Sequence, residues 1–273
     1  MEDMRDSNDL IIDVGMCDGA DTAYYLFKGF RVIAIDADPI LCEKASRRFA
    51  DEIAEKRLEI LNLGIAQGEQ VLTFYRSLKD PGLSSFDAEL GKVGGRYEEM
   101  QIPCRPLSAV IAEFGIPHYL KIDIEGFDAI AISTLTPETA PRYISVELNY
   151  CDTILPALRQ LGYQHFKLIN QNFHTTSLEI GQDEWFWRTL RKAGRVLPPL
   201  KRFIRSLPQS WRPRMEWDVS YRPDGWDPQG GKSSGPFGDL TQGTWRDYDD
   251  TIRTYRAVTS RHEYTWWDVH AHK

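Results

Sequence analysis

The segment Leu10-Ile11-Ile12-Asp13-Val14 closes on the turn Gly15-Met16-Cys17-Asp18-Gly19, and a helical stretch from about Asp21 to Lys28 follows before Gly29. A short apolar run of this kind reads as a strand buried on both faces. Strand, glycine turn and helix in that order form the opening unit of a layered α/β sheet, and the chain repeats the rhythm. Arg31–Ile35 is a second β-branched strand, ending at Asp36. Asp38-Pro39 starts the next helix, with Asp38 as N-cap and Pro39 at the first helical position, and that helix runs to about Lys56. Leu58–Leu61 is a third strand and Val71–Tyr75 a fourth, expected to pair near it. Residues 77–100 contain Pro81-Gly82, Ser84-Ser85 and Gly94-Gly95 and read as a loop-rich insertion. Beyond it lie a helix at Leu107–Phe114, a strand at Tyr119–Ile124 and a helix from about Phe127. A strand at Tyr143–Glu147, a helix at Ile154–Leu161 and a strand at Phe166–Ile169 complete the block. Such alternation predicts a doubly wound, mostly parallel sheet with right-handed crossovers, which binds ligands outside the carboxyl ends of its strands.

The chain has 273 residues, enough for one large domain with an extension; the expected division is 1–185 and 186–273. No apolar run reaches the roughly 18 residues of a membrane-spanning helix. Met1–Asp6 is polar and acidic and does not read as a signal peptide. The four cysteines are scattered without a Cys-x-x-Cys pair, which argues against a zinc site or disulfide framework and suits a reducing cytoplasm. A net charge of −7 argues against a general nucleic-acid partner.

The turn after the first strand supplies Asp13-x-Gly15-x-x-x-Gly19, in the strand-to-helix context that a nucleotide-binding turn needs. Neither the Gly-x-Gly-x-x-Gly dinucleotide fingerprint nor a diphosphate-cradling Gly-x-x-x-x-Gly-Lys element is present there. Asp36 stands about 20 residues further on, where a carboxylate can accept hydrogen bonds from both ribose hydroxyls. The combination describes a ligand with a ribose and no diphosphate. Gly15, Met16, Cys17, Asp18, Gly19, Asp36, Ala37 and Asn62, together with Asp13, are the candidate cofactor-binding residues.

Tyr119-Leu-Lys121-Ile-Asp123-Ile-Glu125-Gly126 resembles the Lys-Ile-Asp-x-Glu-Gly signature of the FkbM-type methyltransferases. Ile11-Ile-Asp13-Val-Gly15, Ala34-Ile-Asp36-Ala-Asp38-Pro39 and Ser145-Val-Glu147-Leu fall in that family's order and spacing, so the likeness spans roughly residues 10–170. It implies a Rossmann-like class I methyltransferase fold, and the residues beyond about 185 form a Trp-rich C-terminal extension outside the core resemblance. It also implies transfer of a methyl group from S-adenosylmethionine, with S-adenosylhomocysteine as product. The usual acceptor is a hydroxyl oxygen on a sugar or natural product. Asp36 stands where many relatives have Glu, and Met16-Cys17-Asp18 departs from the small or amide residues common in the turn.

Methyl transfer needs an aligned acceptor and a group to take its proton. Asp123 and Glu125, at the end of the Tyr119–Ile124 strand, are expected on one side of an extended segment. Glu147 ends the Tyr143–Glu147 strand, with Asn149 two residues on. Asp123, Glu125 and Glu147 are therefore the candidate catalytic residues. The blander reading gives Asp123 a hydrogen bond to local backbone and Glu125 a cap on the next helix. Three such carboxylates could also ligate a hard divalent ion, which is not the favoured reading. Ser84 and Ser85 in the insertion, Asn149, and His174 in the Asn170–Thr176 loop are candidate substrate contacts. His118 at a strand start and the His270-x-His272 pair near Asp268 read as structural.

The expected extension has two parts. Arg188–Met215 carries nine Lys/Arg and no acid, leaving −16 on the rest of the chain. Its interleaved leucines could dock on the acidic core, and Arg188–Arg214 could rest peripherally on an anionic membrane. Trp211, Trp217, Trp226, Trp245, Trp266 and Trp267 follow, six of the chain's eight tryptophans, and are expected to pack on the core or to wall a carbohydrate site. Gly235-Pro-Phe-Gly238 followed by Trp245 is similar to tails on some FkbM relatives. The resemblance favours an O-methyltransferase. N- or carboxyl-methylation, and a non-catalytic cofactor-binding module in a biosynthetic complex, stay open as alternatives, as does the oligomeric state.

Overall fold

The computed structural model describes residues 9–148, 151–170, 175–176, 235–241, 244–259 and 267–273. The first apolar run forms β1 (Leu10–Val14), buried along its whole length, and alternate residues feed two separate cores. Leu10, Ile12 and Val14 face one side, and Ile11 faces the other beside fully buried Asp13. Parallel strands β2 (Arg31–Asp36) and β3 (Leu58–Asn62) extend the sheet on one flank. On the other flank lie β7 (Tyr119–Ile122), β8 (Tyr143–Glu147) and β9 (His165–Asn170).

Helices cover both faces. α1 (Ala20–Phe27), α2 (Pro39–Arg48) and α3 (Ala50–Ala54) lie on one, where Tyr24, Tyr25, Ala45 and Phe49 join Ile11 and Tyr119. The single helix expected over Asp38–Lys56 is thus two, parted at Phe49, whose φ of −108° leaves the helical range. α5 (Leu107–Phe114), α6 (Asp128–Ser133), α7 (Cys151–Gln160) and α8 (Tyr248–Thr259) cover the opposite face through Leu107, Ile132, Ile154 and Tyr255.

The sheet order is β10-β9-β11-β8-β7-β1-β2-β3, with β10 being Thr175–Thr176 and β11 being Trp267–His272. From β1 the chain runs outward through β2 and β3, then crosses back to β7. The switch point, where a doubly wound sheet opens a crevice, therefore lies between β1 and β7. β11 (Trp267–His272) comes from the far C-terminus and inserts antiparallel between β8 and β9. Trp267, Val269 and Ala271 point into the larger core, while Asp268 and His270 are buried on the other face. Residues 267–272, read as part of an extension, are thus an inner strand of the sheet. Phe237 seals the second core by stacking on Tyr119 at 4.2 Å.

The fourth expected strand does not pair near β3. Val71–Tyr75 belongs to β5 (Gln70–Ser77), which pairs antiparallel with β6 (Tyr97–Arg105) in a separate sheet of order β4-β6-β5, with β4 at Gly64–Ile65. Pro103 and the Glu98-Glu99 pair mask β6 in the sequence, although Ile102 and Cys104 bury alternately as a strand requires. The short α4 (Ala88–Gly91) completes this insert.

Candidate active site

After β1 the backbone turns back sharply, and Gly15 (φ +89°) and Met16 both donate their N–H to the Ile35 carbonyl, at 2.9 and 3.0 Å. Glycine is required at position 15, because a Cβ there would sit 1.8 Å from the Asp123 carbonyl oxygen. The turn and the loop after β7 are thus in backbone contact. Cys17 (φ +52°) donates its N–H to Asp36 Oδ2 at 2.7 Å, and Asp38 donates to Asp36 Oδ1 at 2.8 Å. Burial raises the Asp36 carboxyl to about 6 and the Cys17 thiol to about 12, so that thiol is not a nucleophile.

Gly15, Cys17, Asp18, Asp36, Ala37 and Asn62 line the open lip of the turn, half-buried or exposed. Asn62 Nδ2 donates to the Asp36 and Ala37 carbonyls at 3.0 and 3.1 Å and so holds the bend after β2. Gly19 and Met16 are buried, and Met16 packs in the core on the α1 side. Asp13 is enclosed, accepting from Thr22 Oγ1 at 2.6 Å beneath the turn. Its place is under the crevice and not on its surface.

Asp123 and Glu125 do not lie on one extended segment as expected, since β7 ends at Ile122 and Glu125 adopts φ +46°. The turn nevertheless brings them to Glu147 at the end of neighbouring β8. One carboxylate oxygen from each of the three lies within 4.8 Å of the others. Burial raises the Glu125 and Glu147 carboxyls far above the usual range, and the nearby Asp123 charge pushes both further. Oxygens so spaced could share one hard cation or one proton. The local backbone bonds foreseen for Asp123 are made by Asp128, which accepts the Ile124 and Gly126 N–H groups at 3.1 Å each, and α6 starts after Phe127 with no side-chain cap from Glu125.

Under this cluster lies Lys121, which the sequence marked only as part of a motif. Its Nζ is 3.1 Å from Asp123 Oδ2, 3.2 Å from Asp21 Oδ2 and 3.9 Å from Asp13 Oδ1, with the side chain 4% exposed. Burial opposes its charge, but Asp123, Asp21 and Asp13 outweigh that and hold the ammonium well above its ordinary value. Asp268 of β11 stands opposite Glu147 in register, and burial raises its carboxyl too. Its signal in the sequence was the alternation of Trp267-Asp-Val-His-Ala-His272, which is legible only once that segment is a strand.

The remaining candidates are placed as follows. Ser84 Oγ accepts from the Ser77 N–H at 3.1 Å within the insert, and Ser85 is buried with its hydroxyl on the Glu125 carbonyl. Both serines serve backbone contacts. Asn149, His174 and Arg188–Arg214 lie outside the described residues, as do Trp211, Trp217, Trp226 and Trp266. His118 stacks on Phe30 at 5.9 Å at the opposite end of the parallel strands, and His270 is buried within the sheet. Trp245 donates to Asp239 at 3.1 Å under Lys167, also away from the carboxylates.

The profile of the methyltransferase FkbM domain matches residues 13–165. The chain belongs to the FkbM methyltransferase family. A solved FkbM methyltransferase from Methylobacillus flagellatus KT is similar at 19% identity and a TM-score of 0.42, over 60% of this chain and 41% of that one. The O-methyltransferase of a Brevibacillus brevis trans-AT PKS multienzyme, solved with S-adenosyl-L-homocysteine, has 10% identity and a TM-score of 0.35 over 97% and 66%. Phosphoethanolamine N-methyltransferase 2 of Haemonchus contortus, solved with S-adenosyl-L-methionine, has 12% identity and a TM-score of 0.37 over 98% and 49%. The FkbM chain thus spans less than half of the Methylobacillus protein. No curated protein is a significant match. Among the described residues no helix is long and apolar enough to cross a membrane.

Proposed function

We propose that this FkbM domain moves the methyl group of S-adenosylmethionine to a hydroxyl oxygen of a sugar, glycan or natural-product metabolite. The observation that carries the reading is the convergence of Asp123, Glu125 and Glu147, within 4.8 Å, beside the glycine turn at the switch point. The donor set suits the cofactor. The acceptor-only carboxylate of Asp36 keeps lone pairs for two ribose hydroxyls after receiving two backbone N–H groups, and Gly15, Cys17 and Asp18 beside it are not buried. S-adenosylmethionine supplies a methyl carbon already activated on a sulfonium.

The chain's own residues then have two tasks. They orient the acceptor oxygen, and one carboxylate takes its proton as the new O–CH3 bond forms and the S–CH3 bond breaks. Three crowded carboxylates, two of them with raised pKa values, suit the sharing and transfer of a proton. The same oxygens could hold a divalent ion, but the reading does not need one.

The test is a panel of hydroxylated, amine and carboxylate acceptors with methyl-labelled donor, run on the full chain and on Asp123→Asn and Glu125→Gln. Label should appear on a hydroxyl acceptor and fall at least about 100-fold in both variants, while the circular dichroism of the folded chain and donor binding by calorimetry hold. Wild-type rates in both variants would sink the assignment, and label on amines alone would sink the acceptor class.

A further inference from the structure

Glu125 occupies the left-handed region that residues with a Cβ seldom adopt, so something outside it must fix its backbone. Three hydrogen bonds do so. Its two neighbours, Ile124 and Gly126, donate their N–H groups to the two oxygens of Asp128 on α6. Its own carbonyl accepts the Ser85 hydroxyl at 2.7 Å, from 40 residues away in the insert.

Ser85 is itself a stiff anchor. Its N–H and C=O both pair with Tyr75 on β5, at 3.2 and 2.8 Å, and its Oγ also accepts from the N–H of Asp87, the cap of α4. The residue is 1% exposed. Around it the insert presses on the same loop. The Phe86 and Phe127 rings are 5.3 Å apart, and Leu90 Cδ1 lies 2.8 Å from where a Gly126 Cβ would be. From the next residue along β5 after Tyr75, Arg76 Nε pairs with Asp38 Oδ2 at 2.7 Å, next to the Asp36 bend. The small sheet is therefore tied to the core on both sides of the crevice.

We propose that Ser85 is a positioning residue for methyl transfer, tethering the insert to the Glu125 carbonyl so that the Glu125 carboxylate stays beside Asp123 and Glu147. This rests on reading Glu125 as part of the proton-accepting cluster. Without the tether the backbone can leave the left-handed region, and rotation there swings the carboxylate out of the cluster. Misplacement of a reacting group by an ångström costs roughly ten- to a hundredfold in rate.

The experiment compares full-length wild type, Ser85→Ala and Ser85→Cys, with Gln101→Ala as a control that breaks only the exposed Gln101–Thr73 contact on the insert. Rates use S-adenosylmethionine and whichever panel acceptor the wild type methylates fastest. Amide hydrogen exchange is followed in the same proteins. Ser85→Ala should lower kcat at least tenfold with KM for S-adenosylmethionine within twofold, and should speed exchange in 123–127 but not in β1 or β7. Ser85→Cys, a weak donor of similar size, should fall in between. Gln101→Ala should match the wild type, and Ser85→Ala should add nothing in a Glu125→Gln background.

An unchanged kcat in Ser85→Ala overturns the proposal. So does a loss shared equally by kcat, donor affinity and exchange across the whole insert, which would mark general loosening. If Glu125→Gln is inactive while Ser85→Ala is fully active, the tether alone is wrong. If Glu125→Gln keeps the wild-type rate, the reading of Glu125 fails, and the exchange data still report whether the tether exists.

Discussion

Lys121 is the sharpest place to perturb this protein. It is the cation facing Asp123, Asp21 and Asp13 at 3.1, 3.2 and 3.9 Å, and it is only 4% exposed. At an effective dielectric of about 20 each attraction is worth roughly 4–5 kcal/mol before desolvation is charged against it. Their sum is not a stability, because burying four charges is itself costly. What can be forecast is removal. Lys121→Met leaves buried carboxylates without their counter-charge, and breaking a buried pair in this way costs about 3–5 kcal/mol. A domain with about 5–15 kcal/mol of total stability would lose roughly a fifth or more of it, and its Tm would fall by about ten degrees.

The pH dependence tests the cause. Burial already raises the Asp13 carboxyl to about 7, and Lys121 is the chief influence pulling it down. Without the ammonium the folded value climbs further above the unfolded one. A raised folded pKa means stability that is present below the unfolded pKa and lost as pH rises through the folded one. The part of the Lys121→Met deficit that runs through Asp13 should therefore be absent where Asp13 is protonated in both proteins and grow as pH rises through the wild-type value of about 7. Urea unfolding at four pH values measures it, and Lys121→Met with Asp21→Asn should recover part of the loss. A deficit under about 1 kcal/mol at pH ~8, or one independent of pH, would refute the account.

Two other perturbations separate structure from binding. Asp36→Ala should weaken S-adenosylmethionine and S-adenosylhomocysteine in parallel, by at least about tenfold, because both carry the ribose that a charged acceptor would bind; calorimetry returning unchanged affinities would remove Asp36 from the site. Gly15→Ala should leave the protein insoluble or lower its Tm by more than about ten degrees, since the new Cβ meets the Asp123 carbonyl oxygen at 1.8 Å. Gly29→Ala has the same φ of +89° with nothing within 4 Å, so it should cost only the left-handed strain of about 1–2 kcal/mol; equal melts for the two would show that the clash is not what fixes Gly15.

What the sequence disclosed depended on how local the physics was. The runs at Leu10–Val14, Arg31–Asp36 and Tyr143–Glu147 are buried strands because apolar residues fill both faces, and a short window suffices to see that. The Asp38-Pro39 cap reads equally well, with Asp38 Oδ1 on the Ile40 N–H at 2.8 Å. β6 was hidden because its charges and Pro103 are local signals against a strand, and its partner β5 lies beyond a turn-rich stretch. β11 was hidden for the opposite reason. Nothing in six residues near the C-terminus says that they fill a slot between β8 and β9, which only the rest of the sheet creates.

The site divides along the same line. Gly15, Asp36, Asp123 and Glu147 stand at strand ends, where topology alone aims them at one crevice, so spacing was enough to group them. The roles of Asp13, Lys121, Ser85 and Asp268 were not legible, because each is set by a partner distant in the chain. Asp13 has a motif position but its carboxylate is turned inward to Thr22 and Lys121. Ser85 sits in a turn-rich stretch that reads as solvent-facing, yet its hydroxyl is committed to Glu125. Motif residues nearest the crevice in sequence are therefore not all nearest in space. Buried charge shows the difference, since an acid enclosed beside a lysine holds the frame, whereas acids crowded against one another, as Asp123, Glu125 and Glu147 are, can exchange a proton.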